Sequence, residues 1–211
     1  MNLLELFAGS KSVGNTAKEL NFNVFSVDWQ DFNGIDLSID IEDLKKEHIP
    51  FIPDVFWASP DCTTYTIAAI STHRNGTEPK SDYAKKCDNV NMNFINLINE
   101  YLKINKNMVF FIENPRGMLR KMPFMQSFKR HTVWYCQYGD NRAKPTDIWT
   151  NNTEWIPRKI CHNGNPNCHH ERAPRGSRTG TQGKKNSFER SRIPKQLCLE
   201  ILNSCIKPIN Q

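Results

Sequence analysis

The 211-residue sequence predicts an α/β protein with a doubly wound, mostly parallel sheet. Short, almost wholly apolar runs are typical of strands buried on both faces of such a sheet. Segments with the 3.6-residue periodicity of helices separate these runs. Several of the runs end in glycine or polar residues, and the carboxyl ends of parallel strands are where such sheets bind ligands.

In chain order, apolar runs at residues 3–7, 23–28, 53–58 and 108–112 predict parallel strands, with a short third element at 36–41. Residues 132–138 and 146–150 predict a closing hairpin. Helical spacing predicts helices at 12–20, 89–102 and 193–206. We expect a core at residues 1–150, a small irregular basic insertion at 151–192, and a segment at 193–211 that packs back on the core.

The charge of the chain is unevenly distributed. Residues 1–115 contain 10 Lys and Arg against 16 Asp and Glu, whereas residues 116–211 contain 18 against 6. This asymmetry favours a polyanionic partner, most simply nucleic acid, over an ordinary solvated basic surface. No run of 18 apolar residues predicts a membrane span, and no signal pattern is expected at the N-terminus. Seven scattered Cys in a chain without an export signal are typical of reduced thiols, so we expect a cytoplasmic protein. We also expect a monomer.

Cys62 is the most conspicuous candidate nucleophile. It follows the predicted strand at 53–58 in a turn that begins at Pro60, which would present the thiol at the carboxyl edge of the sheet. The alternative is a small buried residue, which free Cys usually is. Residues 66–88 form a long polar connection, and a connection of this length is usually either a functional lid or disordered. Glu113 ends another strand at the same edge.

The residues after the first strand predict a cofactor turn. Small residues around Gly9 allow a ligand to approach the backbone, although their spacing matches a dinucleotide fingerprint only weakly. Asp28 ends the second strand, where an acid accepts hydrogen bonds from ribose hydroxyls; a plain turn acid is the equal alternative. Asp40 and Ile41 are candidates to hold an adenine.

Five blocks then occur in an order that resembles the C5-cytosine DNA methyltransferases, most closely their short phage and viral members. The blocks are Leu6-Phe7-Ala8-Gly9, Ser59-Pro60-Asp61-Cys62-Thr63-Thr64-Tyr65-Thr66, Phe111-Ile112-Glu113-Asn114-Pro115, Arg142-Ala143-Lys144 and Ile193-Pro194-Lys195-Gln196-Leu197. The resemblance implies the Rossmann-like fold of S-adenosylmethionine-dependent methyltransferases. It also implies methylation of cytosine C5 in double-stranded DNA, with base flipping.

The resemblance assigns a role to each matching residue. Cys62 is expected to add to cytosine C6, Glu113 to act at N3, and Arg142 to donate to the base carbonyl. S-adenosylmethionine is expected to contact a larger set. That set is Phe7, Ala8, Gly9, Ser10, Gly14, Asp28, Trp29, Asp40, Ile41 and Pro60.

Three departures from the family pattern are visible. Asp61 replaces a second Pro and is expected to raise the pKa of Cys62 unless its carboxylate is paired or turned away. The first block lacks a tight glycine cluster, and Arg142-Ala143-Lys144 lacks a leading Gln. Competing predictions are therefore an RNA cytosine-5 methyltransferase and an inactive DNA-binding module. An amino-group methyltransferase is disfavoured, because it would need an aromatic residue at the position of Cys62.

The insertion combines metal-ligand and basic residues. Cys161, Cys168, His169 and His170 suggest a structural zinc site, with a further ligand available from Cys136 or Cys198; a flexible basic loop is the alternative. The same region is predicted to read a short DNA site. Its candidate DNA contacts, together with one residue of the preceding hairpin, are Lys144, Arg172, Arg175, Arg178, Lys184 and Lys185.

Overall fold

The computed structural model describes residues 1–162, 164–168, 170–171 and 187–206. The strands are β1 (Asn2–Leu6), β2 (Asn23–Asp28), β3 (Leu37–Ser38), β4 (Val55–Ala58), β5 (Arg74–Asn75), β6 (Glu78–Pro79), β7 (Val109–Pro115), β8 (Arg130–Trp134) and β9 (Pro145–Thr150). The α-helices are α1 (Ser12–Glu19), α2 (Ile70–His73), α3 (Asp82–Ile104), α4 (Ser187–Ser191) and α5 (Lys195–Asn203).

Seven strands form one sheet in the order β3-β2-β1-β4-β7-β9-β8, and β5 pairs with β6 in a separate small hairpin. The first five strands of that order run parallel, and β9 runs antiparallel to both β7 and β8. The predicted doubly wound, mostly parallel sheet is confirmed. The strand order reverses between β1 and β4, which is where open α/β sheets form a ligand crevice.

Apolar side chains pack helices on both faces of the sheet. On one face, Val13 and Ala17 of α1 join Leu197 and Ile201 of α5 in a single buried cluster. On the other face, α3 belongs to a second cluster that includes the strand residues Leu4, Phe56 and Phe110. Both faces are therefore covered, which explains why the inner strands are almost wholly apolar.

Two boundaries differ most from the sequence prediction. Helix α3 begins at Asp82, seven residues before the predicted start at residue 89. The Ser81 side chain accepts a hydrogen bond from the Ala84 amide at 3.1 Å, an N-cap that precedes the apolar periodicity. Strand β8 ends at Trp134, and the chain continues as a 3-10 turn at Tyr135–Tyr138.

None of the helices within the described ranges combines the length and apolar character needed to cross a membrane.

Candidate active site

An open cleft of about 1380 Å³ lies at the carboxyl edge of the sheet. The loops after β1, β2, β4 and β7 line it, together with the turn before β9. Because β4 ends opposite Ile112, the last three residues of β7 extend past it into this space. The cleft thus collects side chains from strand ends that are far apart in sequence.

The loop after β1 has an unusual backbone. Phe7, Gly9 and Lys11 all have positive φ angles, of 56°, 39° and 53°. The Gly9 amide donates to Asp28 Oδ2 at 3.0 Å, and the Gln30 amide donates to Asp28 Oδ1 at 3.0 Å. Asp28 therefore joins the loops after β1 and β2, both of which line the cleft. Burial raises the pKa of this carboxyl, although the backbone donors oppose the rise.

Glu5, which sequence reasoning missed, lies beneath this loop and lines the cleft. Its Oε1 accepts from the Gly14 amide at 3.0 Å, and its Oε2 accepts from Ser26 Oγ at 3.1 Å. A Cβ on Gly14 would lie 2.3 Å from the Glu5 carboxylate, so glycine is required there for close packing. Gly14 does not line the cleft, contrary to its predicted contact with the cofactor.

Burial raises the pKa of Glu5 from 4.5 to about 7. The neutral form therefore stabilises the fold, fully so below pH 4.5, and this stabilisation is lost as the pH rises through 7. In wild type, the free energy of unfolding should fall by about 3 kcal/mol across that interval because Glu5 loses its proton. Glu5→Gln should lack this fall, since glutamine does not titrate. Urea unfolding at pH 5 and pH 8 measures it, with the exposed Glu100→Gln as control. An equal pH dependence in wild type and Glu5→Gln would contradict the expectation.

Cys62 lies half-buried on the cleft wall, in the loop after β4. Burial and the neighbouring Asp61 carboxylate raise the pKa of its thiol to about 11, and Lys144 acts in the opposite direction. The expected rise caused by Asp61 is therefore present, although the Asp61 carboxylate is also hydrogen-bonded. Its Oδ1 accepts from the Thr63 amide at 2.7 Å, and its Oδ2 accepts from the Tyr83 hydroxyl.

Replacing Asp61 by asparagine is expected to lower the pKa of Cys62. Asparagine retains an acceptor for the Thr63 amide but removes the negative charge beside the thiol. The rate of Cys62 alkylation by iodoacetamide at pH 8 should rise about threefold to tenfold. The exposed Asp82→Asn is the matched control, and mass spectrometry identifies the labelled peptide. Equal rates for wild type and Asp61→Asn would show that burial alone sets the pKa.

Glu113 faces the same cleft from β7 and is 5% exposed. The Tyr135 hydroxyl donates to Glu113 Oε1 at 2.8 Å. The next residue, Asn114, donates from Nδ2 to the carbonyl of Pro60 at 2.8 Å. This bond joins the strand that carries Glu113 to the loop that carries Cys62. In the sequence, Asn114 is conspicuous only because it follows the candidate carboxylate; its hydrogen bond to Pro60 could not be predicted.

Lys144 lines the cleft, and the structure does not bring Arg142 there as predicted. Arg142 is 1% exposed; its guanidinium pairs with Asp140 and donates to the carbonyls of Arg190 and Arg192. Lys144 lines the cleft with its ammonium group 4.6 Å from the centre of the Tyr135 ring. Burial lowers the pKa of Lys144, whereas Glu113 opposes the lowering.

Most of the other predicted cofactor residues reach the cleft. Those that line it are Phe7, Ala8, Gly9, Ser10, Asp28, Trp29 and Pro60. Asp40 and Ile41 do not line it: the Asp40 carboxylate pairs with Lys86 at 2.6 Å, and Ile41 is buried in the core. The sequence could not show that Lys86 of α3 would meet this acid.

The predicted DNA contacts Arg172, Arg175, Arg178, Lys184 and Lys185 lie outside the described residues, as does the predicted metal ligand His169. The other cysteine and histidine candidates converge. Cys136, Cys161, Cys168 and His170 place their potential ligand atoms within 4.8 Å of one another. Cys198 does not join them and is buried in α5.

The comparisons with solved structures agree with this architecture. A methyltransferase of Entamoeba histolytica superposes with a TM-score of 0.53 and 14% identity, over 77% of this chain and 56% of its own. A DNA modification methyltransferase encoded within an E. coli prophage superposes with a TM-score of 0.51 and 15% identity, over 76% of this chain and 52% of its own. The chain has a methyltransferase fold. A mutant DNMT2 of Spodoptera frugiperda superposes with a TM-score of 0.50 and 19% identity, over 74% of this chain and 53% of its own.

This methyltransferase-fold chain spans about half the length of those solved structures. At such low identities the similarity establishes the fold alone. No protein-family model and no curated protein sequence matches the chain.

Proposed function

We propose that the protein transfers a methyl group from S-adenosylmethionine to C5 of cytosine in double-stranded DNA, through a covalent Cys62–C6 intermediate. One observation carries the proposal: a thiol, a buried carboxyl group and a lysine face one cleft. They are Cys62, Glu113 and Lys144, and the glycine loop lines the same cleft. Nucleophilic addition to an electron-poor ring needs this combination of groups.

The cofactor side of the cleft fits S-adenosylmethionine. Trp29 is 64% exposed within the cleft, so its ring offers an uncovered face for an adenine. The loop from Phe7 to Lys11 brings backbone close to the ligand space beside the strand-order reversal. When bound there, S-adenosylmethionine supplies an electrophilic methyl group and leaves as S-adenosylhomocysteine. Asp28 would act mainly by holding the loop, since both of its oxygens accept backbone amides.

The residues of the chain account for the remaining chemistry. The Cys62 thiolate forms a bond to C6, and the ring electrons move towards N3, where Glu113 donates a proton or hydrogen bond. The electron-rich C5 then accepts the methyl group. Loss of the C5 proton to solvent restores the double bond, breaks the C6–S bond and returns the electron pair to the Cys62 sulfur. A proton that N3 received from Glu113 returns to the Glu113 carboxylate in the same step, so the enzyme is regenerated. Lys144 stabilises negative charge on the ring and on the thiolate.

The segment between β4 and α3 is positioned to close over a flipped base. This segment is anchored to the core through Arg74, which is 3% exposed and pairs with Asp88 at 2.6 Å. Arg74 Nε also donates to the Thr64 carbonyl at 3.0 Å, two residues after Cys62. Beyond this anchor, Ile67 is 81% exposed at the cleft. A duplex base must leave its stack to reach Cys62, and a lid would exclude water once it has entered.

Transfer of labelled methyl groups tests the proposal directly. Unmethylated duplex DNA and a structured RNA are offered separately, and the products are digested to nucleosides. We expect 5-methylcytosine in DNA. If 5-methylcytidine forms in RNA alone, the reaction is the same but the substrate is RNA. Binding of DNA without product on either substrate would favour an inactive DNA-binding module, which the raised pKa of Cys62 makes a specific alternative.

We further propose that the insertion at residues 151–192 reads a short DNA site of about two to four base pairs. The proposal rests on the basic composition of this segment and on its contribution to the cleft wall through His170, Glu171 and Arg190. Bisulfite sequencing of DNA from cells that express the protein measures the context. Methylation scattered over all contexts would contradict recognition by this segment.

A further inference from the structure

The convergent cysteine and histidine side chains come from two separate parts of the chain. Cys136 lies in the 3-10 turn after β8, whereas Cys161, Cys168 and His170 belong to the insertion. Nothing in the proposed methyl transfer uses these side chains. The cluster is therefore a feature of the molecule that the cleft chemistry does not explain.

The separations within the cluster match tetrahedral zinc coordination. Zinc lies about 2.3 Å from thiolate sulfur and about 2.0–2.1 Å from imidazole nitrogen, so tetrahedral ligands are about 3.5–3.8 Å apart. His170 Nδ1 lies 3.7 Å from Cys161 Sγ and 3.6 Å from Cys168 Sγ. Three thiols and one imidazole form a ligand set typical of structural zinc, in which all four positions come from protein.

The surroundings of the cluster are also those of a metal site. Cys161 is 2% exposed, and Asn165 Nδ2 donates to its sulfur at 3.3 Å. Amide donors of this kind hold thiolate ligands in orientation and reduce their charge. In the structure none of the seven cysteines is in a disulfide, so all three thiols are available to a metal.

The chain around the cluster has few apolar anchors. Within the described residues from 151 to 171 there is no helix and no strand longer than an isolated bridge. Trp155 is 4% exposed, but Ile156 and Ile160 are 83% and 67% exposed. A segment with so little buried apolar surface needs another source of order, and metal coordination supplies it in small irregular units.

We propose that Cys136, Cys161, Cys168 and His170 bind one zinc ion that fixes the insertion to the β8–β9 hairpin. Next to the cluster, the Glu171 amide donates to the Asn141 carbonyl at 2.8 Å. His170 and Glu171 line the cleft. The same hairpin carries Lys144. The ion thereby holds a part of the cleft wall that includes His170 and Glu171, together with the turn that carries Lys144.

Metal analysis of the full chain tests the site without any activity measurement. The protein is purified without chelator, and its zinc content is measured by mass spectrometry of the elements. We expect about one zinc per chain. Exchange with Co²⁺ should give the visible bands of a tetrahedral site and a thiolate-to-cobalt absorption in the near ultraviolet.

Variants separate the proposed ligands from the other thiols. Cys136→Ser should lose at least tenfold in zinc affinity, because a serine hydroxyl is a poor zinc ligand. Cys136→His should retain the ion with an altered cobalt spectrum, which distinguishes loss of a ligand from failure to fold. Cys62→Ser is the matched control and should retain full zinc content, so the site is tested independently of methyl transfer.

Two results would overturn the proposal. One is wild-type protein that contains no zinc as purified and gives no tetrahedral spectrum with added Co²⁺. The other is zinc content in Cys136→Ser equal to that of Cys62→Ser at the same affinity.

Discussion

Cys62→Ala is expected to abolish methyl transfer to cytosine while leaving the fold and the binding of S-adenosylmethionine unchanged. The side chain is half-buried on the cleft wall, and the change removes only its sulfur. Without addition at C6, C5 of cytosine is too weak a nucleophile to accept the methyl group. The expected loss is at least the 10⁴-fold typical of removing a nucleophile that acts with its partners as a unit.

Covalent trapping gives the sharpest measurement of this effect. DNA that contains 5-fluorocytosine has no C5 proton to lose, so the Cys62–C6 bond should persist after methyl transfer. A denaturing gel should show an adduct with wild-type protein and none with Cys62→Ala. Cys87→Ala, at a buried thiol outside the cleft, is the matched control and should form the adduct. An adduct in Cys62→Ala would place the nucleophile elsewhere.

Glu113→Gln should lower kcat/KM by about 10²-fold to 10⁴-fold, the range typical of general acid–base groups. Glutamine has the same shape and still accepts the hydrogen bond of the Tyr135 hydroxyl. It cannot deliver a proton to N3 of the ring, so addition of the thiolate at C6 becomes slow. Single-turnover rates with saturating DNA separate this effect from weaker binding.

Two further variants sharpen the interpretation of Glu113. Glu100→Gln, at an exposed position of α3, should leave the rate unchanged. Tyr135→Phe removes the hydroxyl that orients the carboxyl group, and a smaller loss is expected from it than from Glu113→Gln. If Glu113→Gln kept the wild-type rate while Cys62→Ala were inactive, protonation at N3 would have to come from another group.

The strand ends were predictable because their signals are local. Apolar runs that end in glycine, cysteine or glutamate are visible in the chain itself, and parallel strands bring such ends to one edge. The structure accordingly places Gly9, Cys62 and Glu113 on one cleft. The early start of α3 was missed because its first turn is polar and its order depends on the Ser81 cap.

The choice between neighbouring candidates could not be made in the same way. Arg142 and Lys144 are two residues apart; Arg142 was expected to donate to the base carbonyl, and Lys144 was expected to contact DNA. Asp140 forms an ion pair with the Arg142 guanidinium. Lys144 has a positive φ of 25°, in the turn that brings the lysine side chain to the cleft. Cys136 and Cys198 were equal candidates for the further metal ligand, because neither is near Cys161 in sequence and only the fold brings Cys136 to the cluster.

By itself, the sequence determined the sheet, the edge at which the cleft lies, and the thiol and carboxyl group that line it. These features follow from hydrophobic periodicity and strand direction, which act over a few residues at a time. Only the tertiary structure decided that Lys144 and not Arg142 reaches the cleft, that Asp28 binds loop amides, and that Cys136 and not Cys198 joins the cysteine–histidine cluster. Those outcomes depend on which buried polar groups find partners across distant segments, and such pairing has no local pattern.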